Sequence, residues 1–376
     1  MLTKSKQKSV VGLDLEAGSV AVTEVRANGS VTVSGHAVAP LAPGVFRDGE
    51  LTDPEALGAT LRDLFAEHKL SRNVRLGIAN QRIAVRTLHL PVIEDPKELE
   101  AAIRFQARDH IPMPLDQAVL DWRVVGVSGG NGEVGRMDVV TVAARREMLD
   151  TLLEAMRRAG LRPVGIDLSA FGMIRALAGE TAATPALAAA PSEVTPYEQR
   201  SSLGQAGAAA APANAKLFCH LGDLVNLAVA QGSTCLFARV SQHGTEGIAQ
   251  KLSENAELSL EHARRWLAHV GLEAPLEQIE GDPRIVAATR QTLADEVPKL
   301  VDELRVSLQY YAAQEAAVPV DGVVICGPGS TIPGLVERLQ HDLGYPFAVG
   351  HTAALSHLDK ASAARLTLSY GLALEE

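Results

Sequence analysis

The fold is decided by residues 322–330, which read Gly322-Val323-Val324-Ile325-Cys326-Gly327-Pro328-Gly329-Ser330, an apolar run ending in a glycine-rich turn. From Ile332 onward, apolar residues recur at i, i+3, i+4 and i+7. This pattern predicts a helix with Ser330 or Thr331 as its N-cap, Pro333 in its first turn and an end at Gly344. A strand, turn and helix in this order place free backbone N–H groups where an anion can bind. Such a turn also occurs wherever a strand leads into a helix, so it does not establish a site by itself.

The composition excludes several classes of protein. The chain has 376 residues, 47% of them apolar but only 4% aromatic, which is enough for two or three domains with aliphatic cores. Its net charge of −10 argues against a nucleic-acid partner. The three cysteines have no paired spacing, which predicts buried thiols in a reducing compartment. We find no secretory signal, no apolar window long enough to span a membrane and no metal-ligand spacing among the histidines.

Two parts of the chain open with the same pattern of short, β-branched strands separated by glycine-containing turns. Such a pattern predicts a β-meander. Further helices and strands follow each meander, so we expect an internal duplication with a ligand cleft between two halves. The predicted meander strands are 9–15, 20–26 and 31–36 in the first half, and 216–220, 224–231 and 234–240 in the second.

Between the halves, residues 181–215 are rich in Ala, Pro, Ser and Gln and contain few large apolar side chains. A segment that cannot bury apolar surface does not offset its own ordering entropy. We therefore predict a flexible linker here.

The layout resembles the actin, Hsp70 and sugar-kinase superfold. Residues 11–15 are similar to its first phosphate loop, residues 219–223 stand where the second is expected, and residues 327–330 resemble its adenosine loop. The resemblance implies an actin-like α/β fold, with two duplicated halves around a nucleotide cleft and a subdomain inserted in the first half.

A narrower resemblance is to the PilM family of type IV pilus assembly, a relative of FtsA. The matching motifs are residues 88–91 with 98–99, 108–112, 159–171, 302–311 and 370–374. By this resemblance, the domains are 1–73 with 162–180 (first half), 74–161 (inserted subdomain), 181–215 (linker), 216–243 with 320–376 (second half) and 244–319 (a mainly helical subdomain).

The resemblance implies an adaptor rather than a metabolic enzyme. In this family, the groove beside the inserted subdomain binds a short N-terminal cytoplasmic peptide of PilN. We therefore expect a cytoplasmic protein that PilN recruits to the inner face of the cell membrane, with pilus motor ATPases as further partners, no nucleic acid, and contact with the membrane only through the partner.

The same resemblance implies ATP and Mg²⁺ as cofactors, bound by a defined set of residues. Asp14 is the implied metal ligand. The implied nucleotide-binding residues are Asp14, Gly18, Ser19, Gly222, Gly327, Gly329 and Ser330.

Four positions depart from the family pattern. Glu16 replaces a phosphate-loop glycine, Ala17 a small hydroxyl residue, Ala21 a lysine and His220 an aspartate. A carboxylate ~4 Å from a phosphate charge would be repelled by about 4 kcal/mol at an effective dielectric constant of about 20. Three alternatives stay open: a working ATP site, a site that binds without useful hydrolysis, and a cleft that serves only as a scaffold. Any catalysis would be that of a weak or degenerate ATPase.

Two other functions use the same fold. An FtsA-like division protein would form membrane-attached filaments, but no basic amphipathic tail follows residues 370–374 in this sequence. A sugar kinase or another phosphotransferase would need a positioned magnesium ion and a catalytic base, and the departures at Glu16 and His220 remove two of the expected groups.

Overall fold

The computed structural model describes residues 9–27, 31–128, 135–179, 214–314 and 317–374. The predicted linker over 181–215 lies outside the described residues apart from its last two positions, where Ala215 already begins a strand.

The described chain is built from short strands and amphipathic or buried helices. In chain order the strands are β1 (Ser9–Glu16), β2 (Ser19–Ala27), β3 (Val31–Pro40), β4 (Phe46–Arg47), β5 (Glu50–Leu51), β6 (Asn73–Ile78), β7 (Ala84–Pro91), β8 (Ala118–Ser128), β9 (Arg136–Arg145), β10 (Arg162–Leu168), β11 (Ala215–Leu221), β12 (Val225–Gln231), β13 (Thr234–Ser241), β14 (Val320–Cys326) and β15 (Phe347–Val349). The helices are α1 (Pro54–Glu67), α2 (Pro96–His110), α3 (Arg146–Arg158), α4 (Ser169–Leu177), α5 (Thr245–Ala256), α6 (Leu260–Val270), α7 (Pro283–Ala312), α8 (Leu335–Leu343) and α9 (Lys360–Ala373).

The two halves share one sheet topology. The first sheet has the order β3-β2-β1-β6-β10, and the second has the order β13-β12-β11-β14-β15. In each sheet, the first three strands of the half form an antiparallel meander. A fourth strand pairs in parallel with the first strand of the meander, and a fifth pairs in parallel with the fourth. This correspondence confirms the predicted duplication and the α/β fold class.

An additional three-stranded sheet, ordered β7-β9-β8, carries α2 on one face and forms the inserted subdomain. The prediction for this subdomain was 74–161. Its first strand, β6, instead pairs with β1 and β10 in the main sheet, and α3 packs on α1 within the main core. The segment with a sheet of its own is therefore 84–145, because the flanking elements bury their apolar faces against the first half.

The helices α4 and α9 connect the halves by packing on each other and on the opposite sheet. Helix α4 follows the first half but contacts β11, β12 and β13, whereas α9 follows the second half but covers β1, β2 and β6. The helices cross where Gly371 meets the carbonyl of Gly172, too close for a Cβ atom. Nine consecutive residues of α9, from Arg365 to Ala373, are buried, so this helix is enclosed on all sides.

One predicted helix differs from the structure. The helix expected to begin beside Ser330 starts only at Leu335, because residues 328–331 form a 3₁₀ turn and Gly334 takes a left-handed conformation at the N-cap. Helix α7 begins at Pro283, with Asp282 as its cap, and Pro298 lies in its interior.

Other sequence predictions concern thiols, membranes and metals. The three cysteines are free; Cys219 and Cys326 are buried, as expected, whereas Cys235 is only partly buried. Within the described ranges, no helix has the length and apolarity needed to cross a bilayer. The same residues contain no cluster of three or more His, Cys, Asp or Glu side chains arranged to hold a metal ion.

The contact between β1 and α9 predicts a large effect of one methyl group. A Cβ atom at Gly12 would overlap the carbonyl oxygen of Ser369 and lie 2.6 Å from the backbone nitrogen of Ala373. We expect Gly12→Ala to lower the free energy of unfolding by about 1–3 kcal/mol or more, because rigid backbone must shift. Gly247→Ala is the control, since a Cβ atom there meets open space in α5 and should raise stability by up to about 1 kcal/mol. Equal urea midpoints for the two variants would contradict this packing.

Candidate functional site

The predicted site lies where the β1–β2 turn meets the second half, and an arginine occupies its centre. Arg365, carried by α9, pairs through Nη1 with the carboxylate of Asp14 at the end of β1. Its Nε donates to the hydroxyl of Ser19 at 2.9 Å, and its Nη2 donates to the Ser19 carbonyl at 3.0 Å. Asp14 and Arg365 are both buried. The predicted metal ligand is thus the partner of an internal guanidinium.

A second carboxylate, Glu16, lies between this arginine and His220 of β11. Its Oε2 is 3.4 Å from Nε of Arg365, and its Oε1 is 3.7 Å from Nε2 of His220. Oε1 and Nε2 are both buried, and neither has a hydrogen-bond partner among the described residues. A proton on Glu16 could be shared with this imidazole nitrogen after a small movement.

The backbone N–H of Ala17 is also engaged by the protein. It donates to Oδ2 of Asp223 at 2.7 Å, and the other oxygen of Asp223 accepts from the N–H of Leu224 at 2.7 Å. In the family pattern, N–H groups of this turn approach a phosphate. In this chain, the N–H of Ala17 is bound instead by the carboxylate of Asp223 from the second half.

Gly18 faces a second arginine. A Cβ atom at Gly18 would lie 2.5 Å from the guanidinium carbon of Arg264 in α6. Arg264 itself forms a two-pronged ion pair with Glu246 of α5, at 2.6 and 2.8 Å. Such paired geometry fixes the guanidinium plane over the turn.

The remaining glycines are packed against protein atoms. A Cβ atom at Gly222 would collide with Oε1 of Glu16, and one at Gly327 would lie 2.7 Å from the ring of His220. At Gly329, the corresponding atom would lie 2.6 Å from Cβ of Leu221. The imidazole of His220 therefore fills the space between the second phosphate loop and the predicted adenosine loop.

The structure brings together five of the seven predicted nucleotide-binding residues: Asp14, Gly18, Ser19, Gly222 and Gly327 lie against the same group of charged and titratable side chains. Gly329 packs against Leu221 and Thr245. Ser330 instead closes the 3₁₀ turn, donating from its hydroxyl to the carbonyl of Gly327 at 2.7 Å. We define the cleft network as the six charged or titratable side chains gathered here: Asp14, Glu16, His220, Asp223, Arg264 and Arg365.

Sequence reasoning missed Arg264, Glu246 and Arg365. Arg365 carried one signal, since it is a single charged residue within the otherwise uncharged segment 361–374. An arginine in a helix this apolar needs a buried partner.

Burial governs the protonation of the network. It raises the pKa of Glu16 to about 8, against the lowering effect of Arg365 and with further raising by Asp223 and Asp14. Burial also raises the pKa of Asp223 to about 6, although two backbone N–H groups oppose it, and lowers that of His220 to about 4. Near neutral pH, Glu16 and His220 are therefore uncharged, whereas Asp223 is mostly ionised.

The side chains as placed do not fit Mg²⁺ and a nucleotide. Magnesium requires a nearly octahedral shell of oxygen ligands, mostly water and phosphate. The carboxylate of Asp14 is bound to a guanidinium instead, and the N–H of Ala17 is held by Asp223. Phosphates could reach the turns only if His220 and Arg365 moved away.

The raised pKa of Glu16 predicts how stability depends on pH. Its folded-state pKa of about 8 exceeds its ordinary value of 4.5, so its contribution is complete below pH 4.5 and is lost as pH rises toward 8. The lowered pKa of His220 acts in the opposite sense, but only between about 4 and 6.5. From pH 6.5 to 8, we expect the unfolding free energy to fall by up to about 1.4 kcal/mol per pH unit.

Glu16→Gln should abolish that slope in urea unfolding at several pH values. The exposed pair of Glu261 with Arg265 provides the control, because Glu261→Gln removes a solvent-screened carboxylate and should keep the slope. An unchanged slope in Glu16→Gln would assign the titration to another group.

Comparison with known proteins supports the actin-like fold. The family model described as type IV pilus assembly protein PilM matches residues 12–191. A chain of the PilM–PilN type IV pilus biogenesis complex is 23% identical with a TM-score of 0.75, and the match covers 97% of each chain. MreB5 of Spiroplasma citri bound to ADP is 12% identical with a TM-score of 0.52, covering 97% of this chain and 94% of that one. Ethanolamine utilization protein EutJ from Carboxydothermus hydrogenoformans also has 12% identity and a TM-score of 0.52, covering 97% and 89%.

These solved structures establish the actin-like fold, and the family match agrees with the motifs found in the sequence. Over residues 12–191 the chain is similar to the type IV pilus assembly protein PilM family.

Proposed function

We propose that this chain is an adaptor of type IV pilus assembly that binds the N-terminal cytoplasmic peptide of a PilN-type partner. The observation that carries the proposal is the match over 97% of both chains to the protein of a PilM–PilN complex. That match extends through the inserted subdomain, which supports placing the peptide site beside this subdomain.

The inserted subdomain has the surface expected of a peptide receptor. Half of the large apolar side chains that the described residues expose belong to it, although it is a small part of the chain. Because contiguous exposed apolar surface marks protein interaction sites, this enrichment supports the proposal. They are Val92, Phe105, Val119, Val124, Val125 and Val127.

Binding to a membrane-embedded partner would bring the chain to the inner face of the membrane. In this proposal the protein is cytoplasmic, and its attachment depends on the peptide. Contacts with pilus motor ATPases remain a prediction from the family resemblance.

The family resemblance implies ATP and Mg²⁺ as cofactors. MreB5 bound to ADP shares the fold and so supports a nucleotide at the cleft, whereas the Asp14–Arg365 pair and the position of His220 weigh against it. We propose that peptide binding does not require nucleotide, since the inserted subdomain is separate from the cleft network.

The peptide proposal can be tested by fluorescence anisotropy with a labelled peptide from the matching PilN and the full chain. We expect saturable binding that Phe105→Ser weakens at least tenfold, because a large exposed aromatic side chain in the binding surface is a typical hot spot. Tyr310→Ser is the matched control. Phe105 is 68% exposed on α2, and Tyr310 is 55% exposed on α7 of the other half.

Failure of the unmodified chain to bind the peptide would overturn the proposed function. Binding weakened by Tyr310→Ser but not by Phe105→Ser would keep the function and move the receptor surface to the second half. Repeating the titration with and without Mg²⁺ and ATP tests the nucleotide separately, because equal affinities are expected.

A further inference from the structure

Three successive residues of the β1–β2 turn contact the second half directly. Glu16 faces His220 and Gly222, the N–H of Ala17 is bound by Asp223, and Gly18 lies under the guanidinium of Arg264. In an actin-like cleft, a bound ligand would lie between the halves at the position of these contacts. In this chain, the turn itself spans the gap.

The charges of the contact are balanced within the protein. Arg365 approaches from α9 and bonds to Asp14 and Ser19, with Glu16 at 3.4 Å. A guanidinium offers several donors in a fixed fork, so one side chain can hold both the end of β1 and the following turn. A bound cation between carboxylates would supply the same positive charge.

Glycine positions support the same interpretation. Gly222 and Gly327 lack side chains because Glu16 and His220 occupy the adjoining space, and a Cβ atom at Gly244 would collide with the carbonyl of Asp223. At each of these glycines, the nearest approaching atoms belong to the protein itself. The turns are therefore complementary to one another.

We propose that the cleft network is an internal substitute for nucleotide and cation, which holds the two halves in a closed arrangement without any ligand. Arg365 takes the place of the cation. Residues 16–18 take the place of the phosphates in contacting the second half. This inference does not depend on the identity of the peptide partner. It places the protein among constitutively closed scaffolds rather than nucleotide-driven switches.

Amide hydrogen exchange of the full chain tests the proposal, with peptides that cover residues 14–19, 220–224 and 327–330. We expect slow exchange in all three segments, unchanged by millimolar ATP or ADP with Mg²⁺, and no heat in titration calorimetry. Saturable, magnesium-dependent protection of these segments would overturn the proposal.

Arg365→Met tests the central charge, because it keeps much of the volume and removes the guanidinium. We expect exchange to accelerate in all three segments, including the two in the second half. Arg175→Met is the matched control, since it removes a partly buried arginine, which pairs with Asp167 next to the same helices. The control should leave residues 220–224 and 327–330 unchanged, and unchanged exchange at 220–224 in Arg365→Met would contradict the proposal.

A double variant separates charge from packing. If Arg365 acts as the counter-charge, Asp14→Asn combined with Arg365→Met should recover part of the lost protection, because no unpaired carboxylate remains. No recovery would indicate a packing role and overturn the proposal. Should Arg365→Met fail to fold, Arg365→Lys keeps the charge but loses the fork, and should accelerate exchange at residues 14–19 most.

Discussion

The buried ion pair between Asp14 and Arg365 is the interaction on which the centre of this molecule depends. It joins the first strand to the last helix, and through Glu16 and Ser19 it also fixes the turn that faces the second half. A buried charge that loses its partner typically costs about 3–5 kcal/mol, so neither side chain can be changed alone without disturbing the rest. The pair is isolated from solvent and should be little affected by salt.

Around this pair, the glycine-rich turns of a nucleotide-binding fold accommodate protein side chains. Glycine permits close approach, and it does so whether the approaching atoms belong to a phosphate or to a neighbouring side chain. At Gly18, Gly222 and Gly327 the approaching atoms are those of Arg264, Glu16 and His220. A motif can therefore keep its glycines after the groups beside them have changed.

Much of the fold was predictable from the sequence because its signals are local. Alternating β-branched residues and glycine turns identified both meanders. The start of α8 was misplaced because Gly334 takes a left-handed conformation that periodicity does not reveal. The position of Asp14 in the site was predicted, but its partner was not, since Arg365 lies 351 residues away and only the folded chain brings them together.

The packing of α4 and α9 on the sheets of the opposite halves has a consequence for folding during translation. On the ribosome, β1 and β2 emerge early, yet the helix that covers them is translated after almost all the other described residues. Until then, the apolar face around Gly12 and the carboxylates of Asp14 and Glu16 lack their cover and their counter-charge. Contacts this distant in sequence form slowly, because a long loop must close first. During synthesis, the nascent first half should therefore be a client for chaperones and proteases until the final helix docks.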